Sequence, residues 1–358
     1  MHELATVSVI QDIRPIEGKD RIVLARVENY DSIVQKDGFK VGDKVIYVYY
    51  DAVLPVRPEF EFLRKRCWSE RLQGFRIRPM KMGGHVSEGL VLPITLIEGG
   101  GDLPVGTVVT QQLGIRRYEG GQSQKEPSRP LWWMRHPMLR ALMKLFGHDG
   151  SRPSRGYPEH VPKSDEENIE KCWDSVRMLD DEFIVTEKME GCAAMYVLDR
   201  WGRLHSYSHN REVGASGCWG GIATGCSMRD ALRKAGRSLG IRIAVEGEIC
   251  GPSIQKNIYG FPSHRFFLYG AYDADSGRRL GWSELERVAS LTGLDLVPLI
   301  GRTKVLGTID DMLAMCEGES VFSTRERTVP REGLVWRTED GGVHFKCKSR
   351  PYKVWFEK

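Results

Sequence analysis

A lysine closes the apolar run FIVTEK, and the text continues as Lys188-Met189-Glu190-Gly191. An ammonium at the end of such a run is costly to bury unless it is paired or its pKa is lowered. A lysine amine that has lost its proton is a nucleophile. Two further lysines, Lys346 and Lys348, stand at i and i+2 in HFKCKS. On a strand both point to one face, so both ammonium groups meet the same space. Like charges near Lys188 would depress its pKa, and the pair would clamp phosphate oxygens. Glu190, Glu248 and Glu332 supply the counter-charge. Three carboxylates among phosphate-binding lysines imply a divalent ion, magnesium or manganese.

Five segments carry these groups: TEKMEG (186–191), SHNR (208–211), VEGEICGPSIQK (245–256), FFLYGAYD (266–273), and the pair EGLVWR (332–337) with HFKCKS (344–349). All lie on or beside apolar strand text. DEFIVTEKMEG, AAMYVLD, RLHSYSH, RIAVEGEICG, HRFFLYGAYDA, GLVWRTE and VHFKCKS read as strands. SMRDALRKAGRSLG, GWSELERVASLTG and TIDDMLAMCEG read as helices, the last with Thr308 as its N-cap. An ordinary sheet with solvated charges would account for any one segment, but not for all five in this order.

Residues 1–118 read as β-rich. ATVSVIQDI alternates, RIVLARVENYDSIVQ continues it, and DGFKVGDKVIYVYYDAVLP is broken by Asp-Gly and Gly-Asp turns. HVSEGLVLPITLI and VGTVVTQQLG add short strands, and EFEFLRKRC is the main helical text. Short strands at this spacing suggest a small barrel or sandwich. From 64 to 85, seven basic residues (Arg64, Lys65, Arg66, Arg71, Arg76, Arg78, Lys81) meet one acidic residue, Glu70. Arg76 and Arg78 share a strand face, with Phe75 and Ile77 on the other. Such a stripe suits a phosphate backbone; the plain alternative is a solvated face. Glu-Gly-Leu-Val occurs at both 88–91 and 332–335. The copy at Glu88 has no Lys-x-Lys behind it and reads as barrel structure.

Residues 119–162 are rich in Gly, Pro, Ser and Arg and read as a basic linker. They hold one amphipathic helix, PMLRALMKLFG, beside Trp132 and Trp133. Docking on a domain or on duplex is the expectation for it, with a membrane-surface anchor as the rival. Residues 163–358 mix strands and helices. The chain of 358 residues thus divides at 118 and 162, and its net charge of +4 averages basic stretches against an acidic remainder. No uncharged apolar run is long enough for a membrane span, and the N-terminus lacks a secretory pattern. The eight cysteines form no C-x-x-C pair, so free thiols in a reducing cytoplasm are expected, Cys347 between the two lysines included.

The ordered set resembles the covalent nucleotidyltransferase superfamily of ATP-dependent ligases and capping enzymes. Motif I, K-x-(D/E)-G, is matched by Lys188–Gly191, motif Ia more weakly by Ser208-His209-Asn210-Arg211, and motif III by Gly247-Glu248. Motif IIIa is matched by Tyr272-Asp273, motif IV by Glu332–Val335, and motif V by Lys346-Cys347-Lys348, 14 residues after motif IV begins. GEICGPSIQK is similar to a stretch of RNA ligases that repair or edit RNA. The N-terminal text resembles the OB-type module of family 5 RNA ligases, and only ten residues follow Lys348, too few for an OB domain there.

The resemblance implies an α+β chain. A small OB-like β-barrel would precede an adenylyltransferase domain of antiparallel sheets flanked by helices. It implies an ATP-dependent RNA ligase that forms lysyl-AMP on Lys188, transfers AMP to a 5′-phosphate, and joins that end to a 3′-hydroxyl, sealing nicks or repairing RNA. The nucleotide would lie against Glu187, Lys188, Gly191, Asn210, Arg211, Glu248, Lys346 and Lys348, with Tyr272 stacked on adenine. Glu190, Glu248 and Glu332 would hold magnesium or manganese. Lys188, Glu248, Glu332, Lys346 and Lys348 would carry the chemistry. RNA, or the ends of RNA-containing duplexes, would be bound through Arg64, Lys65, Arg66, Arg76, Arg78 and Lys81. A monomer in the cytoplasm, a host's if the source is viral, is expected, with no membrane partner. Two departures stand out: Glu190 occupies a position most often Asp, and Asn168 one that is often arginine, whose task is then unfilled or taken by another residue such as Arg177. The rival functions are a DNA-joining ligase and a non-catalytic nucleic-acid-binding protein.

Overall fold

The computed structural model describes residues 3–118, 161, 166–209, 211–214 and 217–356. The linker helix with its two tryptophans, and Asn210, lie outside the described residues.

The N-terminal alternation becomes a five-stranded sheet in the order Leu90–Pro93, Lys44–Val48, Ala5–Pro15, Ile22–Val27, Tyr30–Gln35. A four-stranded sheet runs Arg116–Arg117, Ala52–Leu54, Gly74–Arg76, Trp68–Ser69. Because side chains alternate along each strand, the sheet has two apolar faces. Val7, Ile46 and Leu92 pack with Phe60 and Phe75, while Ile10, Val45 and Val91 pack with Tyr30 and Tyr47. VGTVVTQQLG does not form the expected strand. Val108 makes a single bridge to Thr6, and beyond it the Thr110 hydroxyl accepts from the Leu4 and Ala5 N–H groups at 3.0 and 3.1 Å. A side chain there replaces the ladder.

The C-terminal unit holds two sheets. One runs Glu167–Asn168, His344–Lys348, Gly333–Arg337, Phe183–Glu187, Leu299–Thr303. The other runs Glu212–Val213, Leu204–Tyr207, Cys192–Leu198, Ile243–Cys250, Arg265–Asp273, Asp295–Leu296. Pairing is antiparallel except at Glu167–Asn168 and Asp295–Leu296, where edge strands pair in parallel. The helices Met228–Leu239 and Trp282–Thr292 bury Leu232, Ala235, Leu285 and Val288 against the six-stranded sheet. The helices Ile169–Val176 and Ile309–Cys316 bury Trp173, Met312 and Leu313 against the five-stranded sheet. Thr308 caps the latter, accepting from the Asp311 N–H at 3.1 Å.

The described residues cluster into two compact units. The chain from Lys353 onward counts with the N-terminal unit, and the rest of the C-terminal half forms the second. Glu88, the first residue of the earlier Glu-Gly-Leu-Val, is 0% exposed, and its Oε1 lies 2.8 Å from Lys353 Nζ. Breaking a buried ion pair from one side leaves an uncompensated charge. Lys353→Met should therefore lower stability by about 3 kcal/mol, measured by urea unfolding, while the Glu88→Gln, Lys353→Met double variant regains most of it.

Candidate active site

The strand Phe183–Glu187 is buried at every position because it is flanked on both sides, by Gly333–Arg337 and by Leu299–Thr303. Lys188 leaves the ladder with its N–H still bonded to the Gly333 carbonyl at 2.9 Å. Neither glycine of this corner has room for a side chain. A Cβ on Gly333 would strike the Cys347 carbonyl, and one on Gly191 the Ile249 carbonyl and the Glu248 side chain. That close approach seats Lys188, Glu248 and Glu332 beside one another.

Lys188 Nζ lies 2.8 Å from Glu332 Oε1, and Lys348 Nζ is 3.5 Å from the same oxygen. The strand His344–Lys348 alternates as the Lys-x-Lys spacing requires: Phe345 and Cys347 enter the core while Lys346 and Lys348 remain half-buried on the other face. Burial by itself would lower the Lys188 pKa, but the carboxylates of Glu332 and Glu248 outweigh it and hold the ammonium charged. The expected depression by Lys346 and Lys348 is therefore not what this structure has, because the nearer charges are negative.

The carboxylates bear the opposite strain. Burial pushes Glu248 up to about 8 and Glu190 to about 7, with Glu332 adding repulsion in both cases. Glu190 Oε1 and Glu332 Oε2 are buried without a hydrogen-bond partner among the described residues. Crowded, under-neutralised carboxylates fit a divalent cation. Among the described residues no three acidic, His or Cys groups form a ready cage. The donor set fits an ion held by one or two carboxylates and completed by water and phosphate, the habit of magnesium. The GPSIQK loop supports this corner. Ser253, Gln255 and Asn257 all take left-handed φ values (63°, 46° and 44°), and the Lys256 N–H donates to the Glu190 carboxylate. The Glu190 N–H donates to the Tyr259 hydroxyl at 2.8 Å.

Other expected residues are placed differently. Glu187 turns away into the core, where its Oε2 accepts from the Val321 N–H at 2.9 Å. Arg211 is exposed in the turn before Glu212–Val213, and its carbonyl accepts from the Ser208 N–H at 2.9 Å. Tyr272 is corrected as the adenine platform. It is 1% exposed, packs with Met195, Val197 and Tyr207, and donates its hydroxyl to Glu246 at 3.0 Å. No ring face is left for a base. The half-buried aromatic is Tyr269, close enough to feel the charges of Glu248 and Glu166, with the Arg337 guanidinium 5.6 Å from its ring centre. Asn168 does lie beside motif V, in register with Lys346. Arg177 does not replace it; that side chain is half-exposed and pairs with Asp174 at 3.2 Å.

Sequence reasoning missed Glu166, Arg337 and Tyr269. Arg337 Nη2 donates to Glu166 Oε1 at 2.8 Å, and although burial opposes it, Arg337 holds Glu166 down to about 2. Lys346 also faces this carboxylate. Arg337 stands at the i+2 spacing from Val335 in the very motif singled out, a signal left unused. Nothing in the text around Glu166 marks it.

In the N-terminal unit, Phe75 and Ile77 are buried as the alternation requires. Arg64, Lys65, Arg66 and Lys81 are exposed, and Arg78 is partly so. Arg64 is held by Glu61 at 2.6 Å and lies over the Trp68 ring; Arg66 donates to the Met82 sulfur. Arg76 is less free, sitting 3.6 Å over the Tyr118 ring and 3.6 Å from Asp51.

A charged lysine at a strand end, a buried glutamate beside it and a Lys-x-Lys strand two places away in the same sheet are the arrangement expected of a covalent nucleotidyltransferase. Comparison with known proteins narrows the class. An RNA ligase family model matches residues 181–355, and an OB-fold domain model matches residues 4–94. The chain thus carries an RNA ligase domain behind an OB-fold domain. No curated protein matches it. Among solved structures it is similar to the RNA ligase of Naegleria gruberi. A point mutant of that enzyme with AMP and manganese is 25% identical, with a TM-score of 0.80 and 98% of each chain covered. Another mutant, with ATP and manganese, is 25% identical with a TM-score of 0.79 over 98% of each chain. The pyrophosphate complex, 24% identical over 98% of each chain, has a TM-score of 0.80. No helix among the described residues is long and apolar enough to cross a membrane.

Proposed function

We propose that this RNA ligase joins a 3′-hydroxyl to a 5′-phosphate across nicks in RNA-containing duplexes, with Lys188 as the adenylylated residue. The observation that carries the assignment is the 2.8 Å contact of Lys188 Nζ with Glu332, shared at 3.5 Å with Lys348. Glu332 aims the amine. Once its proton is lost, Lys188 Nζ attacks the α-phosphorus of ATP; the P–N bond forms, the P–O bond breaks and pyrophosphate leaves. Lys346 and Lys348 neutralise the phosphate charge that grows as the bond changes. Magnesium or manganese, held by Glu190, Glu248 and Glu332 partly through water, supplies further positive charge on the phosphates when bound. AMP then passes to the 5′-phosphate, and the 3′-hydroxyl displaces it. Residues 1–118 serve as the nucleic-acid module, 119–162 as tether and 163–358 as the catalytic domain, in a cytoplasmic monomer.

The test is a panel of nicked duplexes with RNA or DNA on each side of the break. Sealing only where the 3′-hydroxyl strand is RNA supports the reading, and equal sealing of an all-DNA nick overturns it.

Tyr269 is the base platform in this scheme. Stacking on a base contributes about 1–3 kcal/mol, so Tyr269→Ala should raise the KM for ATP by about five- to 150-fold. Tyr272→Phe should leave KM unchanged and lower stability by about 1 kcal/mol. Combined Arg64→Ala, Lys65→Ala and Arg66→Ala should weaken RNA binding. On a single-stranded RNA probe the slope of log affinity against log salt should flatten by about 0.7 for each phosphate no longer neutralised, read by binding titrations at several salt concentrations.

A further inference from the structure

Cys192 opens the strand Cys192–Leu198, one residue after Gly191 and four after Lys188. Cys218 is the second residue of the helix Gly217–Gly225. Both side chains pack against the core of the six-stranded sheet, each close enough to shift the other's pKa. Their backbones are held together here: the Trp219 indole donates to the Ala193 carbonyl at 3.3 Å, and the Tyr196 hydroxyl donates to the Trp219 carbonyl at 2.8 Å. Both cysteines are partly exposed, whereas Cys250, Cys316 and Cys347 are buried. A small oxidant therefore reaches this pair and not those three.

The two sulfurs are not equivalent. The neighbouring Cys192 lowers the Cys218 pKa against its burial, and His264 and the backbone N–H groups at the helix start act in the same direction. Low thiol pKa, access and a partner sulfur in contact are the conditions under which cysteine oxidation is selective and reversible.

We propose that Cys218 and Cys192 form a redox modification site, in which a peroxide oxidises Cys218 and Cys192 closes a disulfide that slows adenylylation of Lys188. The Cys218 thiolate attacks one peroxide oxygen, the O–O bond breaks, and the departing hydroxide takes up a proton to leave as water. Cys192 sulfur then attacks the sulfenic acid; the S–S bond forms, the S–O bond breaks, and a second water leaves. Two thiols and one hydrogen peroxide thus give one disulfide and two waters. A dithiol reductant reverses the change by exchange.

The consequence follows from geometry. A disulfide holds its sulfurs about 2 Å apart, closer than two thiols in contact. Part of the pull falls on Cys192, and the preceding Gly191 is packed too closely against the Ile249 carbonyl and the Glu248 side chain to hold even a Cβ. Glu190 and Glu248 move with it. Displacing catalytic groups by about 1 Å can slow a reaction up to about a hundredfold.

The slowing rests on Lys188 being adenylylated; the disulfide does not. The full-length protein is treated with hydrogen peroxide, its remaining thiols are alkylated, and it is digested without reductant for mass spectrometry. A parallel sample is assayed for the covalent AMP adduct with α-labelled ATP. The expected result is a linked Cys192–Cys218 peptide and an adduct rate reduced roughly tenfold or more, both restored by dithiothreitol. Cys218→Ser should yield no linked peptide and keep its adduct rate under peroxide, and Cys192→Ser should accumulate a dimedone-reactive Cys218. Alkylation of both cysteines after peroxide, with no linked peptide, overturns the site. A linked peptide with an unchanged adduct rate overturns its effect on the enzyme. A reduced protein that forms no adduct counts against the proposed function alone, since the peptide still decides the disulfide.

Discussion

Lys188→Ala should form no detectable covalent AMP adduct, a loss of more than about 10⁴-fold, the scale on which removal of a covalent nucleophile acts. The site explains why nothing substitutes. Lys348 shares Glu332 but lies two strands away, in register with Gly333, so the proposed mechanism gives its amine to the phosphates. Lys188→Arg should be equally inactive, because a guanidinium does not give up its proton in this range. The loss must be confined to the first chemical step. Given an RNA already carrying AMP on its 5′-phosphate, Lys188→Ala should still seal, since the final displacement needs the clamp and not the nucleophile. Gel assays of protein labelling and of sealing, run side by side, separate the two steps. Loss of both activities to the same degree would mean that Lys188 is structural.

Glu332→Gln should slow adenylylation by about 10²–10³-fold, the usual consequence of removing one preorganised charge from an active site. In the proposed mechanism the carboxylate has three tasks: it aims Lys188 Nζ, it balances Lys348, and it offers a buried oxygen without a partner among the described residues to an incoming cation. Glutamine keeps the shape and a carbonyl oxygen but not the charge. Unlike Lys188→Ala, this variant should also lose sealing of the adenylylated end, because the clamp and the cation serve both steps. Raising the manganese concentration should recover part of the rate. Full activity in Glu332→Gln would remove the residue from the mechanism. Circular dichroism should show an intact fold, since the Glu332 carbonyl keeps its bond from the Ser349 N–H at 2.9 Å whatever the side chain.

The strand alternation that carries Lys346 and Lys348, and the order of motifs from Lys188 to Lys348, were legible because a period of two needs no tertiary knowledge. Tyr269 was not. The strand Arg265–Asp273 slips by one residue against Ile243–Cys250, so that Glu246 faces Gly270 while Gly247 faces Leu268, and Tyr269 is the residue left over. Such a bulge re-aims side chains and is set by packing rather than by local text. Tyr272 therefore had the motif and Tyr269 the position. Glu166 and Arg337 were hidden for a related reason, since their meeting spans 171 residues of chain. The helix Gly217–Gly225 was illegible because GCWGGIATG carries four glycines, each unfavourable in a helix. Burial of Gly220 and Ile222, with Trp219 packed on the core, overrides that preference. The missing strand at VGTVVTQQLG is the converse: β-forming residues whose place in the ladder a threonine hydroxyl had taken.

The membership of Lys353 in the N-terminal unit has a consequence for anyone cutting the gene. A stop codon in the tether yields a first fragment that retains Glu88, 0% exposed, but has lost the cation opposite it. The complementary fragment ends in residues whose companions were left behind. Dissection into halves by sequence order would misrepresent both pieces. A permuted reading frame that starts in the tether, fuses the old ends through a spacer, and stops before the tether keeps every residue with its own unit.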